Sequence, residues 1–194
     1  MIKFKNYKKV FIDSLNLIDE SKIELLVKHM QKIKKKSGRL FILGIGGSAG
    51  NASHAVNDFR KLCEIEAYTP VDNISEITAT TNDEGFDNIF YNFLKRSQLR
   101  SKDAILILSV GGGNKKKNVS INLIKAIKYA KKIKSKIFSI VGKKDGYSFK
   151  NSDVSIYAGT DKKNFITPIA ESLQTCLWHY LVTDKRLQKN KTKW

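Results

Sequence analysis

Residues 39–54 read RLFILGIGGSAGNASH, and this stretch decides the fold. A short run of large apolar residues leads into a turn with four glycines, and a helical pattern follows over residues 50–63. A buried strand that enters a helix through such a turn is typical of parallel α/β sheets. Glycines let the backbone pass close to a ligand, and free N–H groups at a helix start attract an anion. We expect a phosphate-binding turn here, although an ordinary tight turn would use the same residues.

The alternation of apolar strands and amphipathic helices continues along the chain. Predicted strands cover residues 39–46, 65–70, 104–110, 137–141 and 154–158. Predicted helices cover residues 50–63, 85–97, 119–133 and 165–187. Strands that are apolar on both faces and separated by helices predict a three-layer αβα sandwich with a five-stranded parallel sheet, of the flavodoxin-like type.

Before the first strand, apolar residues recur every three or four positions, which indicates amphipathic helix. We expect a break near Glu20 and Ser21, with the serine capping a second helix. The predicted organisation is a helical arm over residues 1–38 and one ligand-binding domain over residues 39–194. Open α/β sheets bind ligands beyond the carboxyl ends of their strands, which selects the predicted loops 44–53, 70–84, 109–120 and 142–148.

The 36 basic and 18 acidic residues give the 194-residue chain a formal charge of +18. Only five of the basic residues are arginine, and the lysines are spread through every segment. Aromatic residues do not alternate with them as a base-stacking surface would require. We therefore expect a solvated lysine-rich surface that favours an anionic ligand, with neither nucleic acid nor membrane as a partner.

Simple counts exclude several classes of protein. No apolar run approaches the ~20 residues of a membrane-spanning helix, and the N-terminal segment lacks the apolar core of a signal peptide. Cys63 and Cys176 do not form a Cys-x-x-Cys pair, so neither a disulfide framework nor a zinc ribbon is expected. The expected location is the cytoplasm.

A second glycine-rich segment, SVGGGN, follows the most apolar predicted strand. The first turn is not a dinucleotide fingerprint, because its third glycine is misplaced, nor a P-loop, because it lacks Gly-Lys-Ser/Thr. Two glycine-rich turns on adjacent strand ends favour a phosphorylated small molecule. Asn82 and Asp83 are candidates for binding sugar hydroxyls, or else cap the next helix. The other candidate substrate-binding residues are Gly46, Gly47, Ser48, Asn51, Ser53, Ser109, Gly111, Gly112, Gly113 and Asn114.

Four side chains are candidates for metal binding or catalysis. His54 and Asp58 are spaced i, i+4 on the helix after the first turn, so they share one face and can act on one metal ion or one substrate. Glu171 and His179 lie on the last predicted helix, about 12 Å apart along its axis. These two reach one ion only if the helix bends or starts late, or if another subunit contributes a ligand. His29, the remaining histidine, is expected at the surface.

The segment GIGGSAGNASHAVNDF (44–59) resembles the signature of sedoheptulose-7-phosphate isomerases, or phosphoheptose isomerases, of the sugar isomerase (SIS) fold. TNDEGFDNIF (81–90), ILSVGGGN (107–114), IVGKKDGYS (140–148) and AESLQTCLWH (170–179) follow in the family's order. The SVGGG form is similar to a branch of these isomerases known in GDP-heptose pathways. The resemblance implies a five-stranded parallel sheet, a homotetramer with active sites between subunits, and a bound zinc ion.

The resemblance also implies a reaction and roles for its residues. The reaction is the ketose–aldose isomerisation of sedoheptulose 7-phosphate to D-glycero-D-manno-heptose 7-phosphate through an enediolate, which supplies nucleotide-activated heptose for lipopolysaccharide or capsule. His179, Glu171 and Asp58 are the implied catalytic residues, and His54, Asp58, Glu171 and His179 are the implied zinc ligands. Asp58 stands at the family's catalytic glutamate and Glu171 at its glutamine. This exchange suggests that Glu171 is the base and that Asp58 holds the metal.

The second turn departs from the family pattern. The family commonly has Ser-Thr-Ser-Gly-Asn-Ser where this chain has residues 109–114, followed by the lysine-rich insertion 115–117. Backbone N–H groups, Lys115 or Lys116 are the expected replacements for the missing hydroxyls.

Three other functions are found among proteins of this fold. A SIS protein that binds a protein partner without catalysis, as the bacterial replication-initiator-associating factor does, is expected to lack the histidines and carboxylates found here. A sugar-sensing transcription regulator needs a helix-turn-helix domain of roughly 80 residues, more than precede the sheet. An isomerase of another phosphosugar, such as a hexulose or arabinose phosphate, stays open because a glycine-rich turn does not measure sugar length.

Overall fold

The computed structural model describes residues 3–193. Its strands are β1 (Leu40–Leu43), β2 (Ala67–Tyr68), β3 (Ala104–Ser109), β4 (Lys136–Val141) and β5 (Val154–Tyr157). Its helices are α1 (Phe4–Asn16), α2 (Glu20–Lys35), α3 (Gly47–Cys63), α4 (Ile74–Glu84), α5 (Ile89–Arg96), α6 (Ile121–Ile133), α7 (Tyr147–Asn151) and α8 (Ile166–Thr183). Short 3-10 turns at Pro70–Asp72, Phe86–Asn88 and Lys163–Phe165 precede α4, α5 and α8.

The five strands form one parallel sheet in the order β2-β1-β3-β4-β5. The chain moves outward from β1 to β2 and then returns past β1 to β3, so the strand order reverses between β1 and β3. Leu43 pairs with Ile107, which brings the two glycine-rich turns side by side. The predicted three-layer sandwich is confirmed, and its two turns flank the crevice where such sheets bind ligands.

The core lies on both faces of this sheet. Helices α2, α3 and α8 cover the face that carries Ile42 and Phe138, whereas α5 and α6 cover the face that carries Phe41 and Leu43. All six residues of β3 are buried. Successive side chains of a strand point to opposite faces, so a strand covered on both faces must be apolar throughout. Within residues 3–193, none of the helices is long and apolar enough to cross a lipid bilayer.

The N-terminal helices break where the sequence predicted, but the prediction of Ser21 as the capping residue was wrong. Asp19 caps α2, because its carboxylate accepts hydrogen bonds from the backbone N–H (2.9 Å) and the hydroxyl (2.6 Å) of Ser21. Leu26 and Met30 of α2 are buried in the main core, so this helix is a layer of the domain. The predicted boundary after residue 38 stays a prediction, and residues 1–2 of the arm lie outside the described part.

The prediction of a loop over residues 70–84 was wrong. A 3-10 turn is followed there by α4, whose N-cap residue Asn73 accepts a hydrogen bond from the backbone N–H of Glu76 (3.2 Å). The segment ISEITATTNDE has few apolar residues and several β-branched ones, so its helical period is weak. The second strand is also shorter than predicted, and α6 starts at Ile121 because Val119 pairs with Asn114 in an antiparallel bridge.

Candidate active site

The turn between β1 and α3 requires glycine at two positions. Gly46 has a φ of +63°, a conformation that residues with a side chain rarely adopt. A Cβ atom on Gly44 would overlap the backbone carbonyl oxygen of Ser48. These glycines let the chain reverse tightly at the carboxyl end of β1, so that the first turn of α3 faces the crevice between β1 and β3.

Helices α3 and α8 lie side by side and run in the same direction. Contacts between them advance together along both helices: Glu171 lies against Gly47, Thr175 bonds to Asn51, Trp178 packs on His54, and Cys63 bonds to Val182. This parallel register brings residues about 120 positions apart in sequence onto one surface. The sequence assigned the chemistry to these two helices but did not provide their register.

At the carboxyl half of the pair, His54, Asp58 and His179 form a cluster. The Asp58 Oδ2 atom lies 3.7 Å from His54 Nε2 and 3.9 Å from His179 Nε2, and the three ligand atoms are all within 4.8 Å of one another. Asn57 donates a hydrogen bond to the other carboxylate oxygen of Asp58 (2.9 Å). The side chains of His54 and His179 are 57% and 46% exposed and that of Asp58 is 15% exposed, so the cluster is open to a ligand.

The surroundings of His179 favour its neutral form. Burial lowers the pKa of His179, and the neighbouring imidazole of His54 lowers it further, while Asp58 and the Thr175 backbone oppose the shift. The net shift is downward from the usual value of 6.5. A neutral imidazole can bind a metal ion or accept a proton at neutral pH.

The three residues of this cluster fit a zinc ion. Zinc takes histidine nitrogen and carboxylate oxygen at about 2.0–2.2 Å in tetrahedral geometry, which places neighbouring ligand atoms about 3.3 Å apart. The observed separations need only a small inward movement of exposed side chains. A site with three protein ligands leaves a fourth position open, as catalytic zinc sites do.

Glu171 is not part of this cluster. Its carboxylate lies over the first residue of α3, at the level of Gly47, where a Cβ atom would overlap it. Eight residues separate Glu171 from His179, which corresponds to about 12 Å along α8. The structure therefore brings together three of the four expected metal ligands, and the fourth, Glu171, stays a prediction as a ligand.

The turn after β3 is closed by its own hydrogen bonds. The Ser109 hydroxyl accepts a hydrogen bond from the Gly112 N–H (2.9 Å), and Ser148 donates to the Gly112 carbonyl (2.8 Å). Gly112 and Gly113 have φ values of +67° and +82°, which only glycine adopts readily. Beyond them, the bridge between Asn114 and Val119 closes a short exposed hairpin that carries the three lysines 115–117.

The remaining predicted substrate residues lie in different surroundings. Ser48 is buried in the first turn of α3, and its hydroxyl finds no hydrogen-bond partner among residues 3–193. Asn51 uses its side chain to bind α8, and Ser53 donates a hydrogen bond to Asp72 on a neighbouring groove. Asn82 and Asp83 are exposed in the last turn of α4, where Asn82 donates to Asp83 (2.7 Å). Among these side chains, only that of Ser48 combines burial with a polar atom that lacks a partner within the described residues.

Sequence reasoning missed Trp178. Its indole is fully buried, with ring centroids 4.6 Å from His54 and 3.6 Å from His179. The only signal in the sequence was a tryptophan directly before a histidine predicted to belong to the site. The expectation for His29 was also wrong, because its ring is half-buried and lies 5.7 Å from Phe138.

The fold and this cluster define a class of protein. The profile of the SIS domain matches residues 4–142, so the chain belongs to the SIS domain family. Within that family the chain is 28% identical over 160 residues to the phosphoheptose isomerase of Campylobacter concisus, with 79% of each protein covered. It is also 31% identical over 150 residues to the lincomycin biosynthesis protein LmbN of Streptomyces lincolnensis, of whose length it spans only about half (54%).

A solved structure agrees in fold. The phosphoheptose isomerase GmhA from Neisseria gonorrhoeae superposes with a TM-score of 0.77 at 21% identity, and 92% of each chain is covered. At this identity the similarity concerns the fold. The predicted resemblance to phosphoheptose isomerases is confirmed, and the prediction of an isomerase enzyme agrees with these relatives.

Proposed function

We propose that this protein is an aldose–ketose isomerase that converts sedoheptulose 7-phosphate to D-glycero-D-manno-heptose 7-phosphate. The observation that carries the proposal is the parallel pairing of α3 and α8. Starting beside the strand-order reversal, this pairing lines up a buried hydroxyl with no partner among the described residues, a carboxylate and, further along the helices, a cluster of two imidazoles and an aspartate. The curated relatives named phosphoheptose isomerase support the choice of substrate.

The phosphate end of the substrate is assigned to the glycine-rich turns. The turns after β1 and β3 offer backbone N–H groups, and Ser48 adds a hydroxyl that has no partner among the described residues. Because the Glu171 carboxylate lies over Gly47, we place the phosphate toward the turn after β3 and the C1 end toward Glu171. The hydroxyl of Ser109 already holds its own turn. Backbone N–H groups and the hairpin lysines 115–117 therefore replace the hydroxyls that the second turn lacks.

The proton transfers are assigned to α8. Isomerisation removes a proton from C1 of the ketose, forms an enediolate and returns a proton to C2. Glu171 takes the C1 proton, and His179 exchanges protons with the substrate oxygens. About 12 Å of helix separates Glu171 from His179, so these roles require the two substrate carbons to lie between the two side chains.

His54, Asp58 and His179 would hold zinc. When bound, zinc supplies a Lewis acid that stabilises negative charge on the substrate oxygens. The neutral imidazole that burial favours at His179 is the form that ligates a metal. Asn57 holds Asp58 with one carboxylate oxygen turned toward both histidines.

The biological setting is part of the proposal. The product feeds nucleotide-activated heptose for capsule or lipopolysaccharide, and the enzyme works in the cytoplasm as a homotetramer with active sites between subunits. Exposed apolar residues support self-association, since Leu15, Leu25 and Tyr180 are each more than a third exposed. Leu15 and Tyr180 line a groove of about 670 Å³ where α1 and α2 meet α8.

The test follows hydrogen exchange in deuterated water. Sedoheptulose 7-phosphate is incubated with the protein, with and without a chelator, and deuterium at C1 of the ketose and C2 of the aldose is measured by NMR. We expect exchange with the wild type, its loss in His179→Ala, and its retention in His29→Ala, which removes an imidazole on α2. Binding without exchange would favour a non-catalytic SIS protein, and exchange only with a pentose or hexose phosphate would reassign the substrate.

A further inference from the structure

The backbone angles at position 47, the first residue of α3, do not require glycine. Unlike Gly46, Gly47 is absent from the residues with positive φ, so any amino acid can adopt its backbone angles. Gly44 is different again, because backbone atoms of α3 exclude a side chain there. The presence of glycine at position 47 therefore needs another explanation.

That explanation is the side chain of Glu171. The three atoms nearest to a Cβ on Gly47 are the carboxylate carbon and both carboxylate oxygens of Glu171. No backbone atom stands among these three, so the closest contacts of the added methyl group are with the end of a flexible side chain. An alanine at position 47 fits the helix but displaces the carboxylate.

Hydrogen bonds fix the backbone of Glu171, whereas its carboxylate makes none among residues 3–193. The Asn51 amide donates to the Glu171 carbonyl (3.0 Å), and the Thr175 hydroxyl donates to the Asn51 side-chain oxygen (2.8 Å), with the Glu171 carbonyl as its alternative acceptor (3.2 Å). Asn51 also donates to the buried Gln174 (3.1 Å). These bonds hold this turn of α8 against α3, so crowding at position 47 is relieved by rotation of the Glu171 side chain.

We propose that Gly47 is a positioning residue, whose missing side chain provides the space that holds the Glu171 carboxylate at the start of α3. This inference rests on the proposed function, in which Glu171 is the base. With its carboxylate at the start of α3, the base Glu171 is separated from the metal cluster by the length of helix between them. Glycine at this position sets the location of the base in the crevice.

The first test compares two alanine substitutions on one helix. Gly47→Ala crowds Glu171, whereas a Cβ on Gly50, one turn later, meets only open space. We expect kcat of Gly47→Ala to fall about 100-fold with KM nearly unchanged, because small misplacements of a catalytic group cost about that much. Its Tm should equal or exceed that of the wild type, because alanine favours helix. Gly50→Ala should keep its kcat and gain in Tm.

The second test is a double-mutant cycle with Glu171. Glu171→Asp is one methylene shorter and leaves room for the methyl group of Ala at position 47. We expect Gly47→Ala to lower kcat no further in the Glu171→Asp or Glu171→Gln background. A further 100-fold loss in the Glu171→Gln background would show that Gly47 acts on another group and would overturn the inference.

Crystal structures of the Gly47→Ala and Gly50→Ala variants test the inference without turnover. The Glu171 carboxylate should leave its position in the first variant and keep it in the second. A carboxylate that stays in place in Gly47→Ala, or a wild-type kcat in that variant, overturns the inference. Failure of the wild type to turn over sedoheptulose 7-phosphate rejects the proposed function instead. The two crystal structures then still show whether glycine at position 47 determines the position of the Glu171 carboxylate.

Discussion

The two edges of the sheet use their charged groups differently. At the amino edge, Asp103 precedes β3 and pairs with Arg39, which precedes β1, at 2.7 Å. The Asp103 carboxylate also accepts hydrogen bonds from the backbone N–H groups of Arg39 and Arg100 (2.9 Å each). Its side chain is completely buried, and both of its oxygens are bonded within the protein.

Toward the carboxyl edge, the candidate functional groups are left unpaired or exposed. The buried hydroxyl of Ser48 has no partner among residues 3–193, and further along α3 and α8 the two histidines of the cluster are about half exposed. A buried polar group without a partner costs stability unless water or a ligand completes it, and Arg39 Nε at the amino edge is such a group as well as the Ser48 hydroxyl. Under the proposed function, the amino edge serves stability, and the carboxyl edge and the paired helices that start there serve binding and chemistry.

The largest expected effect is on activity at the carboxyl edge. Glu171→Gln should lower kcat by about 10³- to 10⁴-fold, because it removes the base and keeps the shape of the side chain. Zinc binding, measured by calorimetry, should persist because Glu171 lies outside the cluster, whereas His54→Ala should lose it. Intact turnover in Glu171→Gln would remove Glu171 from the mechanism.

The next largest effect is on stability at the amino edge. Asp103→Ala leaves Arg39 buried without its partner and should lower the free energy of unfolding by about 3–5 kcal/mol in urea titrations. Turnover per folded molecule should stay near wild type, since the substitution is at the opposite edge from the site. A large loss of kcat in the folded variant would show that Asp103 also affects the site, contrary to the assignment of the amino edge to stability alone.

The ion pair between Asp103 and Arg39 should make the stability of the fold depend on pH under acidic conditions. Burial raises the pKa of Asp103, but hydrogen bonds and the charge of Arg39 outweigh it, so the pKa lies below its usual 3.8. A lowered folded-state pKa adds stability above the unfolded value, and this is lost as pH falls through the folded value. The Tm advantage of the wild type over Asp103→Asn should be full at pH 6 and shrink below about pH 4. A constant difference down to pH 3 would contradict this assignment.

The smallest expected effect concerns Trp178, which packs against both histidines of the cluster. Trp178→Phe should weaken zinc binding about 10-fold, as loss of groups that orient metal ligands commonly does. Phe59→Leu, another buried change on the same face of the sheet, serves as the control for lost packing. Equal zinc affinities for wild type and Trp178→Phe would show that Trp178 only fills the core.

Several features of the site could be predicted from sequence because they depend on local spacing. The i, i+4 pair of His54 and Asp58 needed only the pitch of a helix. The glycine turns after β1 and β3 needed only the order of strands and turns, and the structure confirms that they are neighbours. The position of Glu171 beside Gly47 needed the packing of α8 on α3, which no local pattern contains.

The sequence by itself determined the layer architecture, the parallel sheet and the helices that carry the functional residues. Apolar strands, helical periods and glycine turns are short-range patterns that the chain displays directly. The tertiary structure alone decided that α3 and α8 run in parallel register, that Asn73 starts a helix, and that His179 reaches Asp58 but Glu171 does not. These outcomes depend on contacts between residues far apart in sequence, where packing selects one arrangement among several that local preferences allow.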